Sequence, residues 1–202
     1  MAKKRSMVIN KILICLVFIL TFSFQALTKA DDIRDFQIEG ISIGDSLLEY
    51  YNLDQINNFF RNNYNNKKFY KLEIANQSLL NKLKKYDSLS FHFKKNDNKY
   101  IVQNLGGIIF YNEIGDCLSE KKIITKEISE ALNIKFTYRK LSATWDKNTK
   151  YYQSEGEIGE GGVVAITCYD WSKKDEENNG WTDNLSIDIY NKEVATFIRQ
   201  NS

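Results

Sequence analysis

The sequence predicts an α+β fold in which helices pack on one side of an antiparallel sheet. Three observations carry that reading. Leu89, Phe91 and Phe93 alternate with Ser90, His92 and Lys94, and Asn96-Asp97-Asn98 then breaks the run before a second apolar stretch, the pattern of a β-hairpin. Cys117 to Asn133 places Leu118, Ile124, Ile128, Ala131 and Leu132 at helical spacing, the stripe of a helix lying on a core. Finally, Ile43-Gly44-Asp45-Ser46-Leu47 is echoed by Ile114-Gly115-Asp116-Cys117-Leu118. In each copy an apolar segment ends, Gly-Asp turns the chain and a helix begins. The echo predicts a tandem pair of small α+β units over 36–112 and 113–190, with a C-terminal helix over 191–201, all within one domain at 31–202. The alternative is that a good helix start has arisen twice.

The elements follow in order. Gln37 to Ile43 reads as a short strand interrupted at Gly40, and Asp45 as the cap of a short helix to Tyr51. Asn52 and Gln55 have the spacing of a capping box, with Ile56, Phe59 and Phe60 on one face of the helix that follows. The Asn/Lys run at 62–68 reads as a loop. Phe69 to Ala75 reads as a strand, with Phe69, Lys71 and Glu73 opposite Tyr70, Leu72 and Ile74. A short helix is predicted over 76–85, then the hairpin, whose return strand spans Tyr100 to Asn112. Gly106-Gly107 in mid-strand predicts a bulge or a sharp bend. Beyond the long helix, strands are predicted at 134–138, 163–169 and 185–189, and Val194, Phe197 and Ile198 mark the final helix. The stretch 141–162 holds a Gly/Glu-rich turn, and 170–184 reads as a charged loop.

The N-terminus has the order of a Sec-type signal peptide. Lys3, Lys4, Arg5 and Lys11 precede the uncharged run Ile12 to Phe24, and Thr28-Lys29-Ala30 offers a cleavage site after Ala30. An uncleaved anchor is the alternative, since Ile12 to Thr28 carries no charge. The expected location is the periplasm or the exterior, with membrane contact only through the uncleaved signal. Residues 1–30 hold five basic and no acidic residues, so the remainder carries a net charge of −3, against +2 for the whole chain. The basic residues form no stripe that could neutralise a phosphate backbone, which argues against nucleic acid as a partner.

Two cysteines remain after cleavage, Cys117 and Cys168. In an exported chain such a pair reads as a disulfide, with two buried free thiols as the alternative. The chain lacks proline and has 12 Tyr, 12 Phe and 3 Trp. Trp145, Tyr151, Tyr152, Trp171 and Trp181, interleaved with Asp and Asn, form the candidate binding surface, suited to a glycan or to a protein partner; core filling is the competing use. His92, the only histidine, is expected to point outward from its strand. Asp170, Asp175, Glu176, Glu177 and Asp183 do not follow the EF-hand pattern, and the glycines at 156–162 lack the Lys-Ser/Thr of a phosphate cradle. No metal, cofactor or catalytic set is expected.

The stretches FQIEGISIGDSLL at 36–48, YDSLSFHFKKNDNKY at 86–100 with its return strand, and CYDW at 168–171 resemble a family of uncharacterised exported proteins of small marine bacteria, over most of the part beyond the signal. More distantly, the opening is similar to the SmpA/OmlA and beta-lactamase-inhibitor-like α+β domains. The chain departs from the lipoprotein members in lacking a lipobox and the Gly-x-Pro that closes their helix pair. The resemblance implies export and a binding surface on a sheet. The functional expectation is a non-catalytic binding module; the alternative is a small carboxylate-dependent hydrolase of envelope polysaccharide.

Overall fold

A computed structural model describes residues 33–64, 68–75, 83–159 and 161–201. The signal segment lies outside them, as does most of the helix expected over 76–85, of which 83–85 are not helical. The fold is α+β, as expected. A small hairpin, β1 (Gln37–Ile38) and β2 (Ile41–Ser42), precedes α1 (Leu53–Asn58) and the strands β3 (Phe60–Asn63), β4 (Phe69–Ala75), β5 (Ser88–Lys94) and β6 (Asn104–Phe110). The long helix α2 (Ile114–Leu132) leads to β7 (Phe136–Ser142), β8 (Lys150–Ile158) and β9 (Gly162–Asp170). Then come α3 (Lys173–Asn179), β10 (Asn184–Tyr190) and α4 (Lys192–Asn201). The eight longer strands form one antiparallel sheet in the order β3-β4-β5-β6-β10-β9-β8-β7. Each half is a meander running from an outer edge to the centre, and the two join where β6 pairs with β10 about Gly107↔Ile187.

Strand alternation sorts the side chains onto two faces. On one face Leu72, Leu89, Phe91, Leu105, Leu185, Ile187, Ile166 and Cys168 form the core under α2. Cys117 of α2 is joined to Cys168 of β9, with Cα atoms 6.0 Å apart. Closing a loop of 51 residues stabilises the fold by about 4 kcal/mol in the chain-entropy account. The other face carries α4, whose Val194 and Phe197 pack on Phe69. Helices therefore lie on both sides of the sheet. The apolar stripe of α4 predicted its burial, and nothing in that stripe selects a face.

Several local expectations are corrected. The segment 37–42 is a hairpin rather than one interrupted strand, because Glu39 and Gly40 both take positive φ (54° and 83°) and reverse the chain. Ser46, not Asp45, caps the next turn through Leu48 N–H; Asp45 instead accepts from Ser42 N and the Tyr50 hydroxyl. The Asn52/Gln55 capping box forms as predicted, but its helix stops at Asn58 and Phe60 is exposed on the edge strand. In the second Gly-Asp copy the helix already starts at Ile114, with Glu113 as its cap and no side-chain capping bond. Gly44 has φ 94° in a turn, whereas Gly115 is helical, so the echoed residues have different local structures. Gly106 and Gly107 cause no bulge: both keep regular register with β5 and β10. They are needed for space, since a Cβ at Gly106 would lie 2.3 Å from Asp188 Oδ1 and one at Gly107 would lie 2.4 Å from the Tyr86 ring.

Candidate binding surface

The face bearing α4 is polar and yet largely covered. His92, Ser90, Asn104, Thr167, Ser186 and Asp188 are all buried on it. His92 does oppose Phe91 and Phe93, but it is only 4% exposed, not the solvent-facing residue expected. Its alternation was legible; the cover from the other elements was not. Asn104 donates its amide to Ile189 O, so its oxygen faces His92 Nδ1 at 2.6 Å. Nδ1 must then carry the proton, and Nε2 accepts from the Tyr64 hydroxyl at 2.6 Å. Burial pushes the imidazole down to about 4, keeping it neutral. The same relay on a nucleophile would need an activated phenol, but burial and the Asp188 charge push Tyr64 up to about 12. The Tyr64–His92–Asn104 chain therefore fastens the end of β3 to β5 and β6 rather than preparing a phenolate. Asp188 is raised by burial, opposed chiefly by the Ser186 hydroxyl at 2.5 Å.

At one end of the sheet this polar face gives way to an aromatic wall. Tyr151 of β8 and Tyr169 of β9 are cross-strand partners with ring centroids 5.1 Å apart. Trp171 stacks on Tyr169 at 5.5 Å and 15°. Trp181 leans on Trp171 at 4.4 Å, and Trp145 approaches Trp181 at 6.3 Å and Tyr151 at 6.5 Å. Thus four of the five predicted aromatics come together from the β7–β8 turn, β8 and the β9–β10 connection. Tyr152 does not join them. Being next to Tyr151 in a strand it must face the other way, where it packs against the helix-side core under Lys140 Nζ. Tyr169 completes the wall. In the sequence the strand 163–169 is marked by the apolar face of Val164, Ile166 and Cys168, and only the register opposite Tyr151 places Tyr169 in the wall.

Charged residues set the wall in place. The stretch 170–184 is not only a loop: Ser172 caps α3 by accepting from Asp175 N, and Gly180 ends it with φ 67°. Asp175 is buried and accepts from Trp145 Nε1 at 3.2 Å and Thr149 Oγ1 at 2.5 Å. Asp183 accepts Trp171 N at 2.9 Å. Burial raises the Asp183 carboxyl, and Asp170, Glu176 and Glu113 reinforce the rise. The indole N–H of Trp171 is buried without an acceptor. Trp145 and Trp181 keep 59% and 40% of their surface exposed, so the wall is fixed from behind and open in front. A separate open groove of about 720 Å³ lies between β7, β8 and α4, where Arg199 is already paired with Glu155 at 2.6 Å.

No family model matches the chain, and no curated protein or solved structure is significantly similar to it.

Proposed function

We propose that the chain is exported, trimmed after Ala30, and acts in the periplasm or outside the cell as a non-catalytic binding protein whose partner docks on the aromatic wall. The observation that carries this reading is the half-exposed pair Trp145 and Trp181, held by Asp175 and by Trp171. Large apolar rings left open at a surface cost solvation. Rings already locked in place lose little further freedom on binding, which is how aromatic hot spots act. The Cys117–Cys168 bridge and the signal-like N-terminus support an oxidising destination, and no described helix is long and apolar enough to cross a membrane. The hydrolytic alternative has less behind it, because the buried carboxylates at the wall, Asp175 and Asp183, are already engaged as acceptors.

The test is site-specific photo-crosslinking in the native compartment, with benzoylphenylalanine at Trp181 and, as a control, at Ile123, which is exposed on α2. A discrete adduct from position 181 and none from 123 is expected. Equal labelling at both, or none at 181, would overturn the assignment of the surface.

A further inference from the structure

We infer that the edge strand β7 takes up an extended, acidic segment of a partner polypeptide as a ninth strand, two consecutive carboxylates meeting Arg139 and Lys140. The inference goes beyond the aromatic wall and rests on it only for one apolar position of the partner. β7 is the last strand of the sheet, and Thr137 to Ser142 are exposed. Its backbone phase follows from the turn into β8. Ala143 N donates to Thr149 O, in line with the register Ser142↔Lys150. Every second residue back from Ala143, namely Leu141, Arg139 and Thr137, therefore bonds to β8. Phe136, Tyr138, Lys140 and Ser142 turn their N–H and C=O groups outward, and among the described residues no backbone group meets them. Such a row is the template that strand addition uses. The opposite edge, β3, is only four residues long, and its Arg61 is engaged over the Tyr70 ring at 4.5 Å.

The acidic character of the occupant follows from the charges around this edge. In the β7–β8 turn Asp146 adjoins Lys147, and Lys150 of β8 lies opposite Asp170 of β9. Arg199 of α4 holds Glu155 at 2.6 Å and lies 3.9 Å from Glu157. Lys135, continuing the register, falls opposite Glu157. On the other face α2 pairs Lys126 with Glu130, carries Lys122 and Glu127 of opposite sign, and sends Lys121 onto Ser154. Arg139 and Lys140 are left over, and neither forms an ion pair among the described residues. Arg139 opens onto the groove between β7, β8 and α4. Lys140 lies on the opposite face, over the Tyr152 ring at 4.9 Å. Neighbouring strand residues face opposite ways, so two consecutive acids in an added strand supply one carboxylate to each cation. The next position meets Leu141, the cross-strand partner of Tyr151, so an apolar side chain there continues onto the wall. A second copy of this chain would instead bring like charges together along β7, the usual defence of a sheet edge.

The experiment is a titration of the exported protein into the labelled peptide Thr-Val-Leu-Glu-Glu-Val-Thr, followed by fluorescence anisotropy. Laid antiparallel with its leucine opposite Leu141, the peptide sets its two glutamates opposite Lys140 and Arg139. A twin with Gln-Gln for Glu-Glu is expected to bind about tenfold more weakly. N-methylation of both valines and the first glutamate, whose N–H groups face β7, should abolish binding. N-methylation of the leucine and the second glutamate, whose N–H groups face solvent, should leave it intact. Arg139→Gln/Lys140→Gln, both at exposed positions, should weaken the acidic peptide about tenfold and leave the Gln-Gln twin unchanged. Circular dichroism of the variant confirms that the fold is kept. Equal affinity for the two twins, equal effects of the two methylation patterns, or no binding at millimolar peptide would overturn the inference. So would a dimer in sedimentation that Arg139→Gln/Lys140→Gln abolishes, which assigns the edge to a second copy. Peptide binding as expected with no adduct at position 181 would overturn the wall alone. An adduct at 181 with no peptide binding would overturn the edge alone.

Discussion

The two faces of the sheet are both covered, and they are covered by opposite chemistries. Under α2 the strands present Leu72, Leu89, Phe91, Leu105 and Ile187, side chains that need only to be kept from water. Under α4, and toward the aromatic wall, the same strands present Ser90, His92, Asn104, Ser186 and Asp188, groups that need partners once buried. The first face is stabilised chiefly by apolar area, with Lys121 of α2 as a buried titratable group that donates to Ser154. The second has a chain of specific bonds, from Tyr64 through His92 to Asn104, and from Ser186 to Asp188. The difference teaches that a strand reading apolar/polar in alternation need not have one wet side. Here the polar side is an interior that adds little net stability and much geometric specification.

The largest effect that separates the faces is expected from Phe91→Ala. Phe91 is fully buried among Leu72, Leu105 and Phe93. Its truncation should cost about 3–5 kcal/mol, read as a fall in the urea midpoint with the slope unchanged.

Next comes a pH effect confined to the polar face. His92 is held near 4 when folded, below its ordinary 6.5, so the unfolded chain takes up its proton first as the pH falls. The stability that neutral His92 contributes is complete above about 6.5 and lost progressively toward pH 4, by about 3 kcal/mol at most. Asp188, which is raised, works in the opposite sense: its native state gains a proton first, so stability rises as the pH drops toward the ordinary carboxylate value. Comparing wild type with His92→Gln in the same buffers at pH 7 and 4.5 cancels the Asp188 contribution. The wild type should lose more stability than the variant over that interval; parallel losses would mean that His92 is not neutral and buried.

The smallest effect sharpens the contrast at a point where the two halves of the sheet meet. Gly106→Ala would drive a methyl onto Asp188 Oδ1 and Ser90 Oγ. It should cost about 1–3 kcal/mol, and pairing it with Ser90→Gly should recover part of the loss in thermal melts. A neutral Gly106→Ala would show that the polar face has slack.

Much of the scaffold was legible. The strands β4, β5, β9 and β10 and the facing of their residues follow from period two alone. The Asn52/Gln55 box and the Cys117–Cys168 pair follow from residue type and context. The missed elements share a cause. β8 reads Lys-Tyr-Tyr-Gln-Ser-Glu-Gly-Glu-Ile, with little apolar periodicity, and is a strand because β7 and β9 pair with it on both sides. α3 has no apolar stripe and depends on the Ser172 cap and the Asp175 anchor. Tyr152 was grouped with the wall for its chemistry, and adjacency in a strand sent it to the other face.

The sequence by itself therefore determined which residues share a strand face or a helix stripe, because those periods are fixed by backbone geometry. It also determined that Trp145, Tyr151, Trp171 and Trp181 were worth following. Only the tertiary structure decided that the polar face would be buried, that His92 would sit between Tyr64 and Asn104, and that Tyr169 would replace Tyr152 in the wall. Those outcomes depend on strand order and register, and on which face α4 covers. Contacts between residues far apart in the chain fix all of these, and no local pattern encodes them.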